Sequence, residues 1–206
     1  MKNKVTASRR TSESLVCVTV KKGALAPDYR SCIRTPLPFL NHMIEHIAWR
    51  AGLNIDISIE MPDFKLIHLV TEDVSMTLGK AVGELVKISS PSGYGFSVGI
   101  IDEAKATAAI SFEDRAYLDF TSEIEYAENV EGMPAEELIT FLDGFVQGAR
   151  CTLHVDIEKG KNGHHIWEAV YRAFGIALGS ALSVDPNREG LTSGVAGEVV
   201  YEVKSE

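Results

Sequence analysis

The order helix, strand, helix occurs twice along the chain, and this repetition constrains the fold more than any other feature. Equivalent elements in the two copies lie about 96 to 100 residues apart. His68 and Glu72, for example, have counterparts in His164 and Glu168. Such self-similarity predicts an internal duplication of one small α+β unit. The first copy comprises residues 38–52, 54–60 and 68–87, and the second comprises residues 135–150, 151–158 and 164–183.

The period of the apolar residues predicts the type of each element. Residues 38–52 carry apolar side chains at the spacing of one helix face, and the segment ends at Gly52. Residues 54–60 alternate between polar and apolar, as in a half-buried strand. Strands are also predicted at residues 14–22 and 30–35, and these two are expected to pair.

A cluster of Ser, Pro and Gly at residues 89–95 separates the two copies. We therefore predict an α+β fold made of two similar lobes, residues 1–90 and residues 91–206, which together form one compact domain.

The composition excludes several classes of protein. A net charge of -9 argues against a general nucleic-acid binder, because phosphate contacts require clustered Lys and Arg. No apolar run reaches the roughly 18 residues that a membrane-spanning helix needs. The three cysteines, Cys17, Cys32 and Cys151, are few and scattered, so a disulfide framework is not expected. We expect a cytoplasmic protein.

The six histidines suggest a metal site. His164 and Glu168 are one helical turn apart and share a face, and so do His68 and Glu72. An imidazole and a carboxylate at this spacing can close on one divalent transition metal. The alternative is that each pair is an ordinary surface pair, which is the commoner case for a single pair. Their repetition leaves both interpretations open.

Seven motifs resemble the imidazoleglycerol-phosphate dehydratase family over almost the whole chain. The family's Pro-Phe-Leu-Asp-His-Met and His-His-x-x-Glu-Asp correspond to "PFLNHM" and "HLVTED". Its Asp-His-His-x-x-Glu-Ala corresponds to "GHHIWEA". The remaining matches are "RRTSES", "YGFSVGIIDEA", "DRAYLDF" and "TLHV".

The resemblance implies a fold, an assembly and a reaction. Each lobe would be a four-stranded sheet backed by two helices, and subunits would form a 24-subunit shell or a related trimer-based assembly. The reaction would be the hydro-lyase step of histidine biosynthesis that removes water from imidazole glycerol phosphate through a metal-bound imidazolate. The cofactor would be Mn²⁺ or another divalent transition metal, with one or two ions per subunit. The implied metal ligands are His42, His68, Glu72, His154, His164, His165 and Glu168.

The same resemblance supplies candidates for proton transfer and phosphate binding. Glu13 and Asp102 stand in motifs that would provide the proton-shuttling carboxylate, although either is as well explained as a capping or surface acid. Arg115, Arg172 and Arg10, with Arg9 as an alternative to Arg10, would hold the substrate phosphate.

Four departures separate this chain from the family pattern. Leu69 replaces the second histidine of His-His-x-x-Glu-Asp, so one metal site would lose an imidazole. His46, one turn after His42, is the candidate replacement ligand. Asn41 and Gly163 replace acids that precede ligand histidines. Gly93 replaces an Arg, and the C-terminal segment "GLTSGVAGEV" lacks the family's phosphate-binding motif.

These departures leave two alternatives to a dehydratase. One is a homologue with a reduced metal site that acts on another small metabolite. The other is a non-catalytic, metal-binding protein that forms shells.

Overall fold

A computed structural model of the chain describes residues 3–63, 66–88, 91–188 and 190–204. The strands are β1 (Lys4–Arg10), β2 (Leu15–Lys22), β3 (Leu53–Glu60), β4 (Tyr94–Ile101), β5 (Ala104–Ser111), β6 (Tyr117–Ser122), β7 (Asn129–Val130), β8 (Met133–Pro134) and β9 (Thr152–Lys159). The helices are α1 (Pro38–Ala51), α2 (Ile67–Lys87), α3 (Ala135–Ala149) and α4 (Gly163–Ala181), with short 3₁₀ helices at Tyr29–Cys32 and Pro186–Arg188.

Two sheets repeat one strand order, which supports the predicted duplication. The first has the order β1-β2-β3, and all its strands are antiparallel. The second has the order β4-β5-β9-β6, in which only β6 runs parallel to its neighbour β9. Each antiparallel hairpin is followed by a helix, a strand and a second helix, with strands β6, β7 and β8 inserted before the first of these helices in the second half. The predicted α+β fold with two similar lobes is confirmed.

The helices occupy the layer between the two sheets. Helix α2 packs on β1 and β2, and α4 packs on β4 and β5. Helix α1 packs against α4, and α2 packs against α3, so each helix pair joins one helix from each half of the chain. One face of every long sheet strand except β6 is buried or half-buried, and both halves contribute to one hydrophobic cluster.

Glycines allow α4 to lie directly on β4. A Cβ at Gly95 would lie 1.9 Å from the carbonyl oxygen of Ala177, and one at Gly99 would lie 2.0 Å from that of Ala169. The inward positions of β4 therefore carry no side chain there, because helix backbone takes the space. This close approach fixes α4, which carries most of the candidate site.

The first sheet differs from the predicted four strands. In the described residues it has three, and a single parallel bridge from Ile33 to Ile57 stands where β6 pairs in the second sheet. Residues 30–35 were predicted to pair with 14–22, which is wrong: the chain forms a 3₁₀ helix and then touches β3. Strand β1 was not predicted, because its residues are largely polar.

The predicted lobe boundary between residues 90 and 91 remains a prediction. Two residues of the separating cluster, Ser89 and Ser90, lie outside the described residues. Within the described part of the chain, no helix combines the length and apolar character needed to cross a membrane.

Candidate active site

Helices α1 and α4 bring together three side chains that could hold a metal ion. His42, His164 and Glu168 each offer one ligand atom, and these atoms all lie within 4.8 Å of one another. The Oε2 atom of Glu168 lies 3.3 Å from Nε2 of His164 and 3.7 Å from Nε2 of His42. We call these three residues the central cluster. Two imidazoles and a carboxylate form a donor set suited to a transition metal.

Local interactions at the start of α4 orient His164. The side chain of Asn162 accepts a hydrogen bond from the His164 backbone N–H at 2.9 Å and so caps the helix. Nδ1 of His164 lies 3.2 Å from Oε1 of Glu131, which stands in the turn between β7 and β8. The ring of Phe39 lies 5.3 Å from the His164 ring. These contacts leave Nε2 of His164 directed at Glu168, the usual division of roles in a ligating imidazole.

The carboxylate of Glu168 is almost fully buried and is surrounded by basic groups. Burial raises the pKa of its carboxyl, but the charge and the hydrogen bond of Arg172, joined at acidic pH by the charge of His46, outweigh burial and hold that pKa below its usual value. Burial also lowers the pKa of His46 to about 4, so its imidazole is neutral at neutral pH. The permanent charge beside Glu168 is therefore that of Arg172, which bonds it directly.

A second group lies at the turn between β4 and β5 and comprises Asp102, Glu103 and His165. Nδ1 of His165 lies 2.9 Å from Oε2 of Glu103, and Nε2 lies 3.9 Å from Oδ2 of Asp102. The N–H of Asn162 donates to Glu103, and together with the bond to His165 this lowers the pKa of the Glu103 carboxyl to about 2. The bond to Glu103 in turn raises the pKa of His165. His164 and His165 thus serve two different groups.

Two further predicted ligands lie outside both groups within this chain. His68 contacts the carboxylate of Glu137 on α3, with Nδ1 3.2 Å from its oxygens. His154 lies on the outer face of the second sheet, and its Nδ1 is 3.2 Å from Oδ2 of Asp119. Both histidines are exposed.

Neighbouring positions on α2 differ in their surroundings. Glu72 is half-buried one turn after His68. Leu69 is half-buried against the hydrophobic cluster, so this departure from the family packs as an apolar residue.

The predicted proton-transfer and phosphate residues are spread over the surface. Arg10 and Glu13 both line a surface depression of about 380 Å³ at the turn between β1 and β2. Asp102 is exposed beside His165, and Arg115 is exposed before β6. Arg9 forms an ion pair with the buried Asp73 of α2, which commits its charge within the chain.

The substituted positions have structural roles of their own. Oδ1 of Asn41 accepts from the N–H of Thr35 at 3.0 Å and from its hydroxyl at 2.7 Å, so this side chain fixes the segment before α1. Gly93 has a φ of +73°, and a Cβ there would lie 2.3 Å from Cβ of Ser193. The C-terminal segment therefore fills the space that a side chain at position 93 would need.

Glu131 and Glu103 are site residues that the sequence analysis missed. Glu131 precedes a glycine in a tight turn and has a φ of +49°, so its position follows from turn geometry. Glu103 follows Asp102 within the "IDEA" motif, and that adjacency is the only signal that could have drawn attention to it.

Comparison with known proteins assigns this arrangement to a family. A model of the imidazoleglycerol-phosphate dehydratase family matches residues 35–178. The chain belongs to the imidazoleglycerol-phosphate dehydratase family. Dehydratases are hydro-lyases, so the predicted family and enzyme class are both confirmed.

Relatives match nearly the full length of the chain. The imidazoleglycerol-phosphate dehydratase of Ralstonia pickettii is 34% identical over 193 residues, which cover 92% of this chain and 95% of that protein. The enzyme of Alcanivorax borkumensis is 31% identical over 200 residues, with 95% of each chain covered.

Solved structures agree with this assignment. The Staphylococcus aureus dehydratase superposes with a TM-score of 0.76 at 29% identity, covering 88% of this chain and 99% of that one. The structure of IGPD from Pyrococcus furiosus in complex with (S)-C348 has a TM-score of 0.76 at 26% identity, covering 93% and 99%.

Proposed function

We propose that the chain is an imidazole glycerol phosphate dehydratase of histidine biosynthesis. The observation that carries this proposal is the retained central cluster of His42, His164 and Glu168, in a chain that matches relatives of that name over nearly its whole length. A third, half-buried imidazole, that of His46, lies beside the cluster. The alternatives, a different substrate or no catalysis, become outcomes of the test below.

The central cluster would hold one divalent transition metal ion, with Mn²⁺ as the candidate. Its two imidazole nitrogens and one buried carboxylate oxygen suit such an ion. When bound, the metal would act as a Lewis acid and template for the imidazole ring of the substrate. We propose one or two ions per subunit, with His165 and the acids beside it as the start of a second site.

The chain's own residues would move the proton and hold the phosphate. Removal of water requires a carboxylate that accepts a proton from carbon and an acid that protonates the departing hydroxyl. Glu13 and Asp102 are the proposed groups, and both are exposed enough to reach a bound substrate. Arg10 and Arg115 are the proposed phosphate contacts, and Arg10 shares its surface depression with Glu13. Arg172, the third predicted contact, is already bonded to Glu168 and to the carbonyl of Ile100.

We propose that the complete site forms only between subunits. His68, Glu72 and His154 lie outside the central cluster, and both histidines are exposed, as ligands offered to another copy would be. The outer face of β4 supports self-association, because Tyr94, Phe96, Val98 and Ile100 are 41–63% exposed there. Contiguous apolar surface of this kind marks interaction sites. A trimer-based assembly, with 24 subunits as its largest form, is the proposed state.

The polar strand β1 provides an internal comparison for that surface. The equivalent outward positions of β1 carry Lys4, Thr6, Ser8 and Arg10 instead of large apolar residues. Since the two strands occupy equivalent edges of duplicated sheets, the apolar character of β4 reflects its surroundings in the assembly rather than the needs of the fold. We also propose a cytoplasmic location, which the three free cysteines support.

Turnover of imidazole glycerol phosphate by metal-loaded protein tests the proposed function. The product, imidazole acetol phosphate, should form in the presence of Mn²⁺ and disappear after chelation. Bound metal and product should be measured on the same sample. Metal binding without turnover would overturn the proposal and favour a non-catalytic protein, and turnover of a different small metabolite would favour the reduced-site alternative.

A further inference from the structure

The two carboxylate oxygens of Glu168 have different surroundings. Oε2 faces the central cluster, 3.3 Å from Nε2 of His164 and 3.7 Å from Nε2 of His42. Oε1 faces away from it, toward the guanidinium of Arg172 and Nε2 of His46, which lies 3.2 Å away. One oxygen is therefore presented to a metal, and the other is presented to hydrogen-bond donors.

Arg172 ties this carboxylate to the sheet. Its guanidinium donates one hydrogen bond to Oε1 of Glu168 and another, of 2.8 Å, to the backbone carbonyl of Ile100 at the end of β4. The planar fork of Arg can span these two acceptors, whereas the single ammonium of Lys is poorly shaped to do so. The side chain thus fixes the carboxylate of α4 relative to the sheet that α4 packs on.

His46 approaches the same oxygen from α1. Its side chain is 17% exposed, and its Nε2 is buried without a hydrogen-bond partner among the described residues. The contact of Nε2 with Oε1 of Glu168 has hydrogen-bond length, 3.2 Å, but does not meet the angular criterion of a hydrogen bond. His46 is also absent from the cluster whose ligand atoms lie within 4.8 Å of one another. This placement suits a donor to Glu168 better than a ligand of the same ion.

We propose that His46 and Arg172 are positioning residues that hold Oε1 of Glu168, so that Oε2 stays directed at His42 and His164, the residues that would hold a metal ion with it. The inference rests on the metal site of the proposed function. Hydrogen bonds to the outer atoms of a ligating carboxylate fix its orientation before the ion arrives, and losing such a partner typically lowers metal affinity by about 10- to 100-fold. His46 then strengthens the existing site and is not a replacement ligand for position 69.

Metal affinity of three variants tests this role. Mn²⁺ binding to metal-stripped protein is measured by competition with a chelating dye for His46→Leu, His46→Gln and Arg172→Lys. The dissociation constant should rise about 10- to 100-fold for His46→Leu and Arg172→Lys. For His46→Gln it should stay within about 3-fold of wild type, because the amide nitrogen of Gln can donate from nearly the same place. Arg50→Lys, an exposed change one turn further along α1, is the matched control.

Two further measurements separate positioning from ligation and from simple structural support. The visible spectrum of bound Co²⁺ should be unchanged in all variants, because the ligands are the same. The gain in melting temperature on adding Mn²⁺ should shrink in His46→Leu and Arg172→Lys, whereas a structural role alone would lower the metal-free and metal-bound melting temperatures equally.

Three results would overturn the proposal. The first is an unchanged Mn²⁺ affinity in His46→Leu and Arg172→Lys, and the second is an altered Co²⁺ spectrum in His46→Leu. The third is an equal loss of Mn²⁺ affinity in His46→Gln and His46→Leu. Measurements on the wild-type protein distinguish a failure of the positioning role from a failure of the proposed function. If wild type turns over imidazole glycerol phosphate and the variants bind Mn²⁺ normally, only the positioning role fails. If wild type binds Mn²⁺ without turnover and the variants lose affinity, only the function fails.

Discussion

Replacing the buried carboxylate of Glu168 by an amide of the same shape should separate its metal-binding role from its structural one. In Glu168→Gln, the amide oxygen can still accept from Arg172, and the amide NH₂ then replaces the oxygen that faces His42 and His164. An amide nitrogen does not ligate, so the central cluster loses its only anionic ligand. Because loss of an outer partner already costs about 10- to 100-fold, Mn²⁺ affinity should fall by at least about 100-fold, which corresponds to about 2.7 kcal/mol.

The structural effect of Glu168→Gln should be smaller. The bond from Arg172 keeps its charged donor but loses its charged acceptor, so it should keep only part of the about 1.5–3 kcal/mol of a bond between charged groups. Metal-free Glu168→Gln should therefore lose about 1–2 kcal/mol of unfolding free energy in urea. Since Glu168 is only 5% exposed, solvent screening reduces this little.

Glu84→Gln is the matched control for this experiment. Glu84 lies on α2, where its Oε1 is 2.8 Å from Nζ of the exposed Lys80, and it is not part of the central cluster. It should keep Mn²⁺ affinity within about 3-fold and stability within about 0.5 kcal/mol, as is usual for changes away from buried networks. Wild-type affinity in Glu168→Gln, or equal losses in both variants, would refute the assignment of Glu168 as the ligand.

Three further predictions address the assembly, the second group and the fold. Phe96→Lys places a charge on the outer face of β4, where the ring is 58% exposed, and should weaken self-association at least about 10-fold by light scattering. Thr6→Lys, at the equivalent position of β1, should leave self-association unchanged. Equal weakening by the two substitutions would argue against the β4 interface. Glu103→Gln should lower the pKa of His165 toward its ordinary value in an NMR titration; an unchanged pKa would exclude Glu103 as the cause. The pKa of Glu103 is lowered to about 2, so the ionised carboxylate stabilises the folded protein above its ordinary pKa of 4.5, and this contribution is lost as pH falls toward 2. Glu103→Gln should therefore lose less stability than wild type between pH 4.5 and pH 2. Gly148→Ala should destabilise by about 1–3 kcal/mol in thermal unfolding, because a Cβ there would lie 2.1 Å from a backbone carbonyl oxygen of α2, and an unchanged melting temperature would contradict this packing.

The sequence predicted the repeated elements because their signals are local. Helix α1 was expected at residues 38–52 and extends over Pro38–Ala51, with Gly52 in the left-handed region at its C-terminus. Strand β3 was expected at 54–60 and extends over Leu53–Glu60. Strand β1 escaped prediction because its alternation is short: only Val5 and Ala7 are apolar on its inner face, and Arg9 follows them. The strand prediction for residues 30–35 was wrong, because tertiary packing and not the alternation of side chains decides what Ile33 contacts.

The site was predictable where it depends on helix geometry alone. His164 and Glu168, one turn apart, do meet, with 3.3 Å between Nε2 and Oε2. The position of His42 beside Glu168 depends on the packing of α1 against α4, and the contact of Glu131 with His164 depends on a turn between two short strands. Neither relation is encoded in spacing along the chain, so sequence reasoning could suggest these groups only through resemblance.

The duplication explains why two equal spacings have different outcomes. His68 and Glu72 on α2 have the same spacing as His164 and Glu168 on α4, but their partner helices differ. Helix α4 packs on α1, which supplies His42, whereas α2 packs on α3, where the corresponding position is Ile139. In place of an imidazole, α3 offers Glu137, which contacts His68. The pair on α2 therefore has no histidine partner among the described residues of this chain. In the proposed assembly a neighbouring subunit would supply one, and His154, exposed on the outer face of the sheet that carries the apolar stripe of β4, is the candidate.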